Sequence, residues 1–160
     1  MLHQLLTKLD NHVGFEKVSA HCDIPCKIYD PISAQLAALS VIRFTDLINE
    51  LSADNGAQLV RLVREKEIHA EKVKQEVRVI WGDYFKAPQI EQYPDVHDLV
   101  HNIMMAGSAC KQHVDRDKSL QLLALVNQFA GYFWHSKGVQ TVQATCPYPP
   151  AEQVVYPKLY

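Results

Sequence analysis

The chain has 160 residues, 48% of them apolar and 21% charged, with a formal net charge of −2. That balance suits one globular domain. It carries no basic excess, so nucleic acid is not an expected partner. No apolar run reaches the ~20 residues that span a bilayer, so no membrane partner is expected either.

In chain order, residues 1–20 read as a leader. Leu2, Leu5, Leu6 and Leu9 have helical spacing, which Asn11, His12, Val13 and Gly14 interrupt. The segment ends in Ser19-Ala20, small residues that a processing protease accommodates. Asp10 and Glu16 break any continuous apolar stretch, so it does not read as a secretory signal. The expected compartment is therefore the cytoplasm, where the four cysteines are free, metal-bound or reactive rather than paired. Residues 21–31 hold two prolines, Pro25 and Pro31, and cannot be helical throughout.

Helical periodicity follows. Leu36, Leu39, Ile42, Phe44, Leu47, Ile48 and Leu51 predict a first helix from Pro31 to about Asn55-Gly56. Leu59, Leu62, Val63, Val73, Val77, Ile80 and Trp81 predict a long second one. Lys86 to Pro94 reads as a loop. Val96, Leu99, Val100, Ile103 and Met104 predict a third helix. Leu120, Leu122, Leu123, Leu125, Val126, Phe129, Phe133 and Trp134 predict a fourth, ended by Gly138. The proline-rich tail, 138–160, is expected to be extended. No alternating strand pattern is visible. Four amphipathic helices on short connections predict an all-α, up-and-down four-helix bundle over 31–137.

The chemistry concentrates in His21-Cys22-Asp23-Ile24-Pro25-Cys26-Lys27-Ile28-Tyr29. Two thiols and an imidazole lie within six residues, with a proline between the cysteines. Mixed nitrogen and sulfur donors in a plane suit Ni(II) or Cu(II), whereas zinc usually takes four side chains in a tetrahedron. Spacing alone leaves open a loop with incidental cysteines.

The run H-C-D-I-P-C-x-x-Y-D-P resembles the mature N-terminus of the nickel superoxide dismutases. Trp81-Gly82-Asp83-Tyr84-Phe85-Lys86-Ala87-Pro88 is similar to a W-x-D-Y-F-K-x-P segment of that family, and Tyr93-Pro94 continues the likeness. The resemblance spans His21 to about Trp134. It implies an N-terminal metal-binding hook at 21–30, exposed by removal of the leader, and one nickel ion per subunit. His21 would supply its amine or imidazole, Cys22 a thiolate and its amide nitrogen, and Cys26 the second thiolate. A cis Ile24-Pro25 bond is implied in the hook. Tyr29, Tyr84 and the backbone of Asp23 would line the approach, with Lys86 nearby to attract an anion. The implied activity is superoxide dismutation by Ni(II)/Ni(III) cycling in a homohexamer, an antioxidant function. Its implied partners are superoxide and a leader-processing protease.

Two departures motivate a runner-up reading, a non-enzymatic nickel- or copper-binding bundle. The family often places a glutamate and an arginine to orient the axial imidazole, and the corresponding positions here are Ala37 and His69. His69 is a candidate substitute. Lys27, where glycine is frequent, reads as a surface variation.

Other residues read as structural. His97 and His101 form H-x-x-x-H without a third ligand and read as an exposed helix face. Cys110 reads as a small buried hydrophobe, and Cys146 as a free thiol in the tail. Met104 and Met105 read as core. Tyr148, Tyr156 and Tyr160 read as surface or subunit-contact residues.

Overall fold

The computed structural model describes residues 26–52 and 54–159. The leader and the hook residues His21, Cys22, Asp23, Ile24 and Pro25 lie outside them. The elements are α1 (Ile32–Asn49), α2 (Gly56–Asp83), α3 (Ala87–Gln92), α4 (Val96–Gln112), α5 (Arg116–Ser136), β1 (Thr141–Thr145) and β2 (Gln153–Pro157).

The four long helices form the bundle in up-and-down order. Each buries one stripe. In α1 it is Ala34, Ala37, Ala38, Val41, Ile42 and Thr45, mostly small residues that let two neighbouring helices approach closely. In α2 it is Lys66, Ala70, Val73, Val77 and Ile80, spaced alternately four and three apart. That spacing keeps a seam on one side of a helix. Leu99, Val100 and Ile103 of α4 meet Leu122, Val126, Phe129 and Phe133 of α5 in the same core.

Helix ends are fixed by local chemistry. The Asp30 carboxylate accepts a 2.8 Å bond from the Ile32 amide, satisfying a donor that α1 leaves unpaired. Asp115 caps α5, accepting from the amides of Asp117 and Lys118. Lys66 lies buried, 1% exposed, and its ammonium donates to the carbonyls of Cys110, Lys111 and His113. It thus closes the C-terminal end of α4 from the neighbouring helix. Burial pushes its pKa below the usual lysine range, and the positive charge remains compatible with the site because three carbonyls face it.

Four expectations are corrected. Helix α1 ends at Asn49 rather than near Gly56, although Leu51 stays half-buried beyond the helix. Lys86 to Pro94 is not all loop, because α3 starts there with proline at its first turn, where a missing amide costs nothing. The tail also contains strands. β1 and β2 pair antiparallel, with Gln143 opposite Val155. Met105 is 58% exposed and so is not core, whereas Met104 packs against it.

The hairpin lies on α1 and α5. Val154 and Val155 of β2 and Cys146 of the connecting loop are buried. Cys146 is a free thiol, as expected, but not an accessible one. Buried Gln35 donates to the Val155 carbonyl at 2.8 Å and to Asn127 Oδ1 at 3.0 Å. Asn127 in turn donates to the Gln153 carbonyl and accepts from the Val155 amide. Arg116 joins Asp46 of α1 at 2.9 Å to Glu152 of the hairpin at 2.6 Å. No described helix is long and apolar enough to cross a membrane.

Asn127→Ala should lower stability by about 2 kcal/mol, since it leaves two hairpin backbone groups and Gln35 short of a partner. Urea denaturation checks the cost. Hydrogen exchange should show the Val155 amide losing protection ahead of the bundle.

Candidate metal centre

Up-and-down order brings three chain ends to one end of the bundle: the start of α1 and the C-terminal ends of α2 and α5. Cys26 is the first described residue there. Its thiol is free and exposed. Lys27 follows with a φ of 59°, in the left-handed region. A side chain there costs roughly 1–2 kcal/mol relative to glycine, so position 27, exposed as expected, also carries a backbone constraint. Ile28 is 80% exposed, and Tyr29 turns inward to half-burial.

Tyr29 meets Tyr84 just past the end of α2, with ring centroids 6.3 Å apart and planes tilted by 53°. Tyr84 is wedged into an aromatic cluster. Its ring lies 4.9 Å from Phe133 and 5.4 Å from Phe85, which contacts Phe129 at 5.4 Å. The Tyr84 hydroxyl is 2.8 Å from Ser136 Oγ, and the Lys137 ammonium stands 4.5 Å above the Tyr84 ring centroid. The sequence reading missed Ser136 and Lys137. The signal available was Gly138, which ends α5 and, in an up-and-down bundle, sets its last residues beside the end of α2.

Lys86 is exposed just beyond the end of α2. Its Nζ donates to the Gly82 carbonyl at 2.6 Å, a favourable place for a cation at the negative end of α2.

The two departure positions have clear structural roles. Ala37 is 2% exposed in the α1 stripe. His69 is half-buried; its ring packs 5.2 Å from Phe44, and Nδ1 is 2.8 Å from the Glu65 carbonyl. A carbonyl only accepts, so Nδ1 carries the proton and Nε2 is left as the acceptor. His97 and His101 are exposed; His97 Nδ1 accepts from the Trp81 indole at 3.0 Å. Tyr148 is exposed and Tyr156 half-buried against the core, while Tyr160 lies outside the described residues.

Among the described residues no three His, Cys, Asp or Glu side chains gather to hold a metal ion. His21 and Cys22 precede Cys26 in the sequence, outside the described residues. An exposed thiol with a second thiol and an imidazole close by in the chain suits a borderline-soft ion.

Comparisons with known proteins bear on the same residues. The family model for nickel-containing superoxide dismutase matches residues 16–137. Over 122 residues the chain is 38% identical to the Superoxide dismutase [Ni] of Streptomyces seoulensis, covering 76% of this chain and 91% of that protein. It is 39% identical over 122 residues to that of Streptomyces coelicolor (strain ATCC BAA-471 / A3(2) / M145), covering 75% of this chain and 90% of that protein. A native nickel superoxide dismutase structure superposes with a TM-score of 0.70 at 36% identity, covering 74% of this chain and 99% of that one.

Tyr84→Phe should cost about 1 kcal/mol, the hydrogen bond to Ser136. Tyr84→Ala should cost about 3 kcal/mol, because the aromatic wedge goes too. Equal costs in urea denaturation would show that the ring does not organise this end of the bundle.

Proposed function

The chain belongs to the nickel-containing superoxide dismutase family, and from that premise we propose how its own residues perform the reaction. Its activity is the conversion of two superoxide anions and two protons to dioxygen and hydrogen peroxide, with nickel as cofactor. Family membership favours this over a non-enzymatic metal-binding bundle.

The proposed ligands are His21, through its amine and imidazole, Cys22, through its thiolate and amide nitrogen, and Cys26, through its thiolate, with one ion per subunit. Held by such donors, nickel would supply a one-electron couple, Ni(II)/Ni(III), suited to the alternate oxidation and reduction of superoxide. Thiolates and an amidate are electron-rich, which is what makes the higher oxidation state accessible. While Ala20 remains attached, the amine of His21 is an amide and a poor ligand. Leader removal at 1–20 is therefore a step of maturation, performed by a protease.

The observation that carries the assignment is the contact of Tyr84 with Tyr29, which lies three residues beyond Cys26. Two phenols beside an exposed thiol narrow the approach and limit oxidation of the sulfurs by peroxide. Their hydroxyls hold water that supplies protons to the product. Asp23 would complete the approach through its backbone. The remaining segments follow: a hook at 21–30, a bundle at 31–137 and a tail at 138–160. The proposal includes a cytoplasmic, antioxidant role and a homohexamer, a closed symmetric assembly that would shelter a hook projecting from each subunit.

Cys22→Ser and Cys26→Ser should each abolish superoxide turnover in the processed, nickel-supplied protein while leaving far-ultraviolet circular dichroism unchanged. Turnover retained in either variant would remove that sulfur from the ligand set. N-terminal sequencing of the protein from its native cell should begin at His21. A start elsewhere contradicts the leader boundary.

A further inference from the structure

We infer that Ser136 and Lys137, adjacent at the end of α5, are positioning residues for Tyr84, and that the Lys137 ammonium is the cation that draws the substrate anion to this end of the bundle. The inference rests on the reading of Tyr29 and Tyr84 as walls of the approach.

The hydroxyl geometry fixes the direction of a proton. Serine has one hydroxyl proton. Ser136 Oγ donates it to the Phe133 carbonyl at 2.7 Å. In the 2.8 Å contact with Tyr84, Ser136 Oγ is therefore the acceptor and the phenol is the donor. The Tyr84 proton points into the protein, and its oxygen is left to accept a hydrogen bond from a water on the approach. A serine at position 136 thus decides which way a wall of the approach is polarised.

The backbone fixes the cation. Lys137 caps α5, and Gly138 follows at a φ of 73°. The amides of Gly138 and Val139 return to the carbonyls of His135 and Trp134, so the chain turns immediately after Lys137. Its ammonium is held 4.5 Å from the Tyr84 centroid and 5.0 Å from that of Phe133. Both lie within the range of cation–π attraction. The side chain belongs to an exposed residue, so its charge also reaches an approaching anion. Lys86 donates one of its three ammonium N–H groups to the Gly82 carbonyl and keeps its charge, so Lys137→Gln removes only the part of the positive field that stands over the Tyr84 ring.

Kinetics of the processed, nickel-loaded protein and proton NMR of the metal-free full chain test this together. Ser136→Ala should lower kcat by about fivefold, the worth of one neutral hydrogen bond, and Ser136→Thr should recover most of it. Lys137→Gln should lower kcat/KM by about tenfold at low ionic strength, with less effect on kcat and with the deficit closing in high salt. Lys137→Arg should retain the rate, and Lys72→Gln, an exposed charge on α2, should act as the control. In the metal-free chain the Lys137 ε-methylene protons should be shifted upfield by the ring beneath them, a shift that Tyr84→Leu removes. A Lys137→Gln loss no larger than the Lys72→Gln loss, unshifted ε-protons, or failure of threonine to restore kcat would overturn the inference. No turnover in the unsubstituted loaded protein would instead overturn the functional reading beneath it.

Discussion

The arrangement of the bundle end that carries Cys26 depends on the confinement of the Tyr84 ring. Phe133 and Phe85 hold it in the core, Tyr29 meets it from the hook side, and Ser136 fixes its hydroxyl. Because Tyr29 lies three residues from Cys26, a fixed Tyr84 also limits where the Cys26 thiol can lie. A chain segment that short reaches roughly 10 Å at full extension. The position of the thiol is thus inherited from aromatic packing between helix ends rather than from the hook alone.

Bundle topology makes this arrangement possible. With helices alternating in direction, the start of α1 and the ends of α2 and α5 converge without any long connection. The helix stripes that enforce this order are made of small and branched residues, and Lys66 seals α4 from within the core. The hairpin adds a clamp on the opposite face of α1 and α5. It lies beyond the residues matched by the family model, which end at 137. Gln35, Asn127 and Arg116 tie it down, so in this chain those helices have a covering strand pair of their own.

The helices were readable because their buried positions recur every three or four residues. Boundaries were less readable. Leu51 prolongs the apolar spacing of α1 but packs outside the helix. Pro88 suggested a loop, yet proline at the first turn is where a helix tolerates it. The hairpin left no alternation to find, since Val154 and Val155 are buried in succession and almost all of β1 faces outward. At the candidate site, Cys26, Tyr29 and Tyr84 were legible through the family resemblance. Ser136 and Lys137 were not, because their importance comes from a contact with a residue about fifty positions earlier. The backbone constraint at Lys27 was not legible, because a sequence does not display a positive φ.

The central claim is that a chain trimmed to His21 binds nickel through two sulfurs and turns over superoxide. Nickel-edge X-ray absorption on that trimmed protein, with turnover measured on the same sample, tests it most directly. The account predicts one nickel per chain, two sulfur neighbours and rapid loss of superoxide, with none of these in the untrimmed chain. Nickel bound without sulfur, or a sulfur-ligated site that leaves superoxide unconsumed, would contradict it.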